Sequence, residues 1–256
     1  MLNRLFFIAL LLFQFSLFAD SSSYEGSVGS VVNDGPQVKI IKEKVKTEKS
    51  IGDYTISTDG KYLLVVRKQS QALELLNATD FSVMKTFSDL GTTTHNKKID
   101  IVFNIASRQS FIVGISSEKG VDNQIWEILY EDSPLPVYNG VMHDYRMNEG
   151  MVRDQSQFPV RIIKLAGQTF NPISSHYFYS ESGFLFIARD KKVEVIQLDA
   201  RQTIATIDFK EKPDLTASVQ QEIKDTPHLL VPFLNDSGVT GVTRINMNSW
   251  TATQTK

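Results

Sequence analysis

The sequence predicts an all-β, β-propeller-like fold of about four blade modules, each a four-stranded antiparallel sheet. The first observation behind this is a module written twice. One copy runs Thr58-Asp59-Gly60-Lys61-Tyr62-Leu63-Leu64-Val65-Val66-Arg67, then Leu73 to Leu76, then Met84 to Phe87. The other runs Glu181-Ser182-Gly183-Phe184-Leu185-Phe186-Ile187-Ala188-Arg189, then Val193 to Ile196, then Ile204 to Ile207. The second observation is the period: units of about 40 to 45 residues, each with about four short strands, mark a propeller blade. The third is that alternating apolar runs bounded by polar-Gly turns recur along the chain, so few helices are expected.

Taken in chain order, Arg4 precedes an apolar run from Leu5 to Phe18, with Ala19 before Asp20. A basic start, a short apolar core and a small terminal residue describe a secretory signal peptide over residues 1–19. The run falls short of the roughly 20 apolar residues of a spanning helix, so an exported protein with no membrane span after cleavage is expected, periplasmic or secreted. Residues 20–37, rich in Ser, Gly and Asn, read as a flexible linker. The propeller domain then occupies 38–256. Val38-Lys39-Ile40-Ile41-Lys42-Glu43-Lys44-Val45-Lys46 reads as a strand whose charged outward positions would protect a sheet edge.

Module one covers about 51 to 90. A second begins near Ile99 to Phe103 and continues through Ser110 to Ile115 and Gln124 to Leu129. The segment from Tyr138 to Asn171 reads as an insertion without a strand period. A third module covers about 173 to 212. The acidic stretch Ser218 to Asp225 has at most one helical turn in it. A fourth module begins near His228 to Leu234, turns at Asn235 to Gly238 and continues to Met247, short of its last strands. Pro232 demotes the first of these runs to an edge or bulged strand, because proline cannot donate to a ladder. Either Val38 to Val45 supplies a missing strand and closes a small ring, or the chain is a partial propeller with exposed blade edges. Exposed edges call for a protein partner or self-association.

Composition narrows the function classes. The chain has 256 residues, no cysteine and a formal charge of −2. Without cysteine there is no disulfide framework and no Cys-x-x-Cys-His attachment of a c-type haem. An acidic balance, −3 after loss of Arg4, argues against nucleic acid as partner. No His-x-x-x-His pair or spaced carboxylate loop suggests a metal site, and Ser174-Ser175-His176-Tyr177 lacks the Gly-x-Ser-x-Gly of a hydrolase elbow. His95 reads as a loop residue. Arg67 and Arg189 occupy equivalent repeat positions, which suits a structural role at a strand end. Trp126 and the abundant phenylalanines read as blade packing. His143 is followed by Asp144, a carboxylate able to fix its tautomer.

The strings Ile125-Trp126-Glu127-Ile128, Pro136-Val137-Tyr138, Gly140, His143-Asp144-Tyr145 and Glu149-Gly150, with Phe158-Pro159 and Arg161-Ile162-Ile163, resemble the haem d1-binding propeller of cytochrome cd1-type nitrite reductases. They are closer still to the relatives that make or handle haem d1 without a c-haem domain. Ile105-Ala106-Ser107 before Phe111-Ile112-Val113, the blade at Phe184 to Ile196, and Thr226-Pro227-His228 add to the resemblance, which runs from about Ile51 to Met247. It implies non-covalent binding or handling of a d1-type tetrapyrrole, or assistance to a d1 enzyme. It also implies that His228 and His143 line the cofactor pocket, and Arg67 or Arg189 could pair with its carboxylates. The family ring has eight blades, and its proximal-ligand blade would lie before Ile51. The residues after His228 are Leu229-Leu230-Val231 where the family usually has glycine. These departures, with no c-type haem, weigh against independent catalysis. The rival expectation is a non-catalytic YVTN-type repeat scaffold for protein–protein interaction; a third is a relative with no surviving activity.

Overall fold

The computed structural model describes residues 36–87, 97–117, 123–144, 149–165, 171–234 and 240–255. The expected signal peptide, most of the linker, and His95 lie outside the described residues.

The first described element corrects an expectation. Residues Pro36–Thr47 form a helix, α1, not an edge strand. Val38, Ile41 and Val45 are buried while Ile40 is 57% exposed. Spacings of three and four residues put one apolar stripe on a helix, where strand alternation would have buried Ile40 and exposed Ile41. Pro36 suits the first helical position, and Lys44 and Lys46 suit the negative end of the helix dipole. The stripe packs on Ile51, Ile56, Leu63, Val65 and Leu76, so α1 covers one face of the first sheet. The sheet domain therefore starts at Ile51 and the helix caps it.

Four antiparallel sheets follow, each with four strands. Blade one is β1 (Ile51–Ile56), β2 (Tyr62–Arg67), β3 (Leu73–Asn77) and β4 (Val83–Phe87) in sequential order. The next six strands are β5 (Lys97–Ile105), β6 (Ser110–Ser117), β7 (Gln124–Leu129), β8 (Val137–Asp144), β9 (Glu149–Asp154) and β10 (Val160–Lys164). Blade two has the order β10-β7-β6-β5, with β8 and β9 forming a separate hairpin. The expected insertion is real, but it is stranded rather than without strand period. It lies between the third and fourth strands of blade two, and its last part returns as β10. Asn139 ties the hairpin down: its side chain donates to Val160 O and accepts from Ile162 N.

Blade three is β11 (Ser175–Tyr179), β12 (Phe184–Arg189), β13 (Lys192–Gln197) and β14 (Gln202–Asp208). Blade four is β15 (Val219–Ile223), β16 (Thr226–Leu234), β17 (Thr240–Asn246) and β18 (Ala252–Thr255). Three expectations change here. The fourth module is complete. Its first strand is the acidic stretch thought able to make a helical turn. And β16, which holds Pro232, is an inner strand paired on both sides. The proline is tolerated because β15 begins opposite Leu230 and runs away from Pro232, so β15 seeks no donor beside it on that edge.

The twin modules share their opening turn. Gly60 and Gly183 sit at φ +70° and +64°, in the left-handed region where a side chain is strained. From there the strands alternate faces, and the core divides into layers. Leu64, Val66 and Leu75 of blade one meet Phe111, Val113, Trp126 and Ile128 of blade two. Ile112, Ile125 and Ile163 of blade two meet Leu185, Ile187 and Ile196 of blade three. Phe186, Val193 and Val195 of blade three meet Leu229, Val231 and Ile245 of blade four. Each such side chain contributes about 1.5 to 3 kcal/mol on burial. Among the described residues no hydrophobic cluster joins blade four to blade one, whose free face α1 covers. The arrangement is an open, partial propeller.

Candidate functional site

Strand direction sorts the candidate residues between the two ends of the blades. Arg67 and Arg189 close the second strands of blades one and three. His228 lies near the start of the second strand of blade four, which is the opposite end. The structure does not bring these three together.

Arg67 is held within its own blade. Its Nε donates to Glu74 Oε2 at 2.8 Å and Nη2 lies 2.7 Å from the same oxygen, while Nη1 donates to Ser50 Oγ at 2.8 Å. Arg189 is 1% exposed, between blades two and three. Its Nη1 donates to Asn171 O at 2.7 Å and lies 3.5 Å from Asp100 Oδ2. Among the described residues Nε and Nη2 have no hydrogen-bond partner, nor has Oε2 of buried Glu194. Burial pulls the Arg189 pKa below its ordinary value, against the opposing pull of Glu194 and Asp100. Burial likewise pushes Glu194 up, with Arg189 and Lys192 resisting. Both arginines are thus structural partners of acids in their own surroundings.

His228 has a defined tautomer. Its Nδ1 lies 2.8 Å from the carbonyl oxygen of Thr226. A carbonyl only accepts, so Nδ1 carries a proton, and in the neutral ring Nε2 keeps its lone pair. That is the form of histidine that binds a metal or accepts a hydrogen bond, with the backbone carbonyl fixing the ring. Its neighbours across the sheet are Gln221 and Asn246. His143 belongs to β8, near the tip of the hairpin, and its side chain lies outside the described residues. Among the described residues, no group of three or more His, Asp or Glu could hold a metal ion, and no helix is long and apolar enough to cross a membrane.

His176 stacks on Phe103 across blades three and two, ring centroids 3.6 Å apart and 15° between planes. Desolvation pushes its pKa down to about 4. It packs as a neutral aromatic ring.

The largest charged cluster was not anticipated. Glu127, whose side chain is fully buried, accepts from Arg108 Nε at 2.7 Å, Arg161 Nη1 at 3.1 Å and Ser110 Oγ at 3.2 Å. Arg108 also donates to Asp199 Oδ1 at 2.8 Å, linking blades two and three. Burial opposes the charge on Arg108, but its bonds to Glu127 and Asp199 outweigh burial and raise the pKa. The same bond to Arg108 holds the Asp199 carboxyl below its usual range. Arg201 completes the group: Nη1 donates to Tyr138 O and lies 3.5 Å from Asn139 Oδ1, at the base of the hairpin.

A local repeat that the sequence carries positions Arg201. Asn77, Gln197 and Asn246 each end a third strand and accept, through the side chain, from the backbone N of Thr79, Asp199 and Asn248. Two residues further on, Phe81, Arg201 and Trp250 share left-handed φ of 62°, 54° and 58°. Each reaches back to the preceding layer. Phe81 packs against the α1 cluster, and Trp250 sits edge-on to Phe184 of blade three at 5.0 Å. Arg201 reaches the blade-two hairpin. The signal was legible as Asn/Gln followed four residues later by a bulky side chain, then a polar residue.

No family model matches the sequence, and no curated protein does. Among solved structures, the fold is similar to NirN, a dihydro-haem d1 dehydrogenase in complex with DHE. The TM-score is 0.56 at 17% identity, covering 80% of this chain and 38% of that one. Two further similar structures are apo AztD from Citrobacter koseri, at TM-score 0.42, 9% identity and 80% against 45% coverage, and a nidogen/laminin complex, at 0.43, 10% and 80% against 63%. The first likeness places the chain among β-propellers. The chain spans 38% of the length of that relative.

Proposed function

We propose that this chain is an exported, periplasmic β-propeller protein that binds or handles a d1-type tetrapyrrole non-covalently, or assists a d1 enzyme, without a c-type haem of its own. The observation that carries the reading is the likeness of the fold, over 80% of this chain, to NirN, whose solved form is in complex with DHE. The motif resemblance over Ile51 to Met247 supports it independently. So does His228, whose Nδ1–H to Thr226 O leaves Nε2 in the metal-binding or acceptor form.

The residues divide the work as follows. His228, oriented by its Nδ1–H bond to Thr226 O, would help hold the group through Nε2, and the β8–β9 hairpin that carries His143 borders the same end of the blades. Arg67 and Arg189 contribute by fixing strand ends, since each is already engaged with its own partners. When bound, an iron tetrapyrrole supplies redox and ligand-binding chemistry that no side chain of this protein has.

The test is an absorption titration of the purified mature chain with haem d1, and with haem b for comparison. The reading expects a saturable shift of the visible bands with haem d1, weakened at least tenfold by His228→Ala. An unshifted spectrum together with a stable protein partner would replace it by the scaffold reading.

A further inference from the structure

Among the three equivalent turns, only blade three carries a charge where the others carry an aromatic ring, and that exception leads to a second site. The geometry points to a carboxylate-binding site formed by Arg161 and Arg201 at the base of the β8–β9 hairpin, taking a small organic acid. It does not rest on the tetrapyrrole reading.

The guanidinium groups of Arg108 and Arg161 bind the carboxylates of Glu127 and Asp199, and that of Arg201 sits next to them on Tyr138 O and Asn139 Oδ1, which also accepts from Ile162 N. Arg108 uses Nε and Nη2 fully: Nε and Nη2 bond Glu127 at 2.7 and 3.3 Å, and Nη2 also bonds Asp199 at 2.8 Å. Arg161 and Arg201 use only Nη1, the first on Glu127 and the second on Tyr138 O and Asn139 Oδ1. Among the described residues, the Nε–Nη2 edge of each has no protein partner. That edge is the planar two-donor fork that matches a carboxylate.

Neither guanidinium is adrift in water. The Arg161 side chain is 27% exposed. Arg201 is half-buried, with burial first and Arg161 second lowering its pKa, partly offset by Glu127. A fixed cation beside another cation is a local cost. The equivalent residues Phe81 and Trp250 avoid it by apolar packing. Departures from an otherwise repeated rule concentrate at functional positions. A carboxylate between the two free forks removes the repulsion. Tyr138, whose carbonyl Arg201 bonds and whose side chain is exposed, supplies apolar surface on the same strand, which favours an organic acid over an inorganic anion.

Isothermal titration of the mature chain with succinate and, separately, inorganic phosphate at constant ionic strength tests this. Saturable binding of succinate, one per chain, is expected, with phosphate at least tenfold weaker. Arg201→Gln should weaken succinate at least tenfold. Arg201→Trp, which installs the residue of the blade-four turn, should abolish binding while leaving the melting temperature unchanged or higher. His228→Ala should leave succinate binding unchanged, so this site and the tetrapyrrole reading fail separately. Absence of saturable succinate binding, unaltered affinity in Arg201→Gln, or preference for phosphate would each overturn the inference. A final arm adds haem d1 to the succinate complex. Displacement assigns the carboxylates recognised here to the tetrapyrrole, and retention assigns them to a free acid; either supports the site.

Discussion

Blades one and three are the two copies of one module, and they differ wherever their neighbours differ. Arg67 and Arg189 stand at the same repeat position. The first bonds Glu74 and Ser50 at the surface of its own blade, and the second is sealed against blade two beside Asp100. Tyr54 and His176 both pair with the residue two before that arginine, on β1 and β11. Tyr54 packs beside α1, whereas His176 stacks on Phe103 of blade two. Phe81 and Arg201 fill the same turn, one against α1 and the other against an inserted hairpin. The repeated residues build the blade; what covers the blade decides what its side chains do.

The largest effect that would break this comparison concerns the arginines. Arg189→Ala leaves Asp100 as a buried carboxylate without its cation, and should cost about 3 to 5 kcal/mol in denaturant unfolding. Arg67→Ala removes a partly exposed pair, and about 1 kcal/mol or less is expected. Equal losses would mean that the two corners are not distinguished by their cover.

A smaller effect sharpens the contrast through pH. Burial depresses the His176 pKa to about 4 from the ordinary histidine value of 6.5. A depressed pKa means the unfolded chain takes up the proton first. The contribution is therefore whole above about pH 6.5 and lost as pH falls towards 4. After discounting for its partial exposure, about 1 to 3 kcal/mol should disappear over that window. His176→Phe keeps a ring on Phe103 and should flatten the profile between pH 6.5 and 4.5. A profile unchanged by the substitution would remove His176 as its cause.

How much of this was legible in the sequence follows from the same contrast. The twin modules, their glycine turns and the four-blade count are local, and the residues announce them. The helix α1 was hidden because Val38, Ile40, Ile41 and Val45 are β-branched, which suggests a strand unless the three- and four-residue spacing is weighed first. The β8–β9 hairpin was hidden because it interrupts a blade between its third and fourth strands, so it matches no repeat. The cluster around Glu127 could not be read at all. Its bonds join Arg108 to Asp199 and Arg201 to Tyr138 across blades, through separations of 91 and 63 residues. Of the four residues proposed for the cofactor, Arg67 and Arg189 stand at one end of the blades and His228 at the other, a division set by strand direction and invisible in the motifs.

The most direct test of the function proposed for this fold is native mass spectrometry of the mature chain after exposure to haem d1. One macrocycle retained per chain, and released on unfolding, is the expected result. A spectrum containing only the bare polypeptide, under conditions where it remains folded, would contradict it.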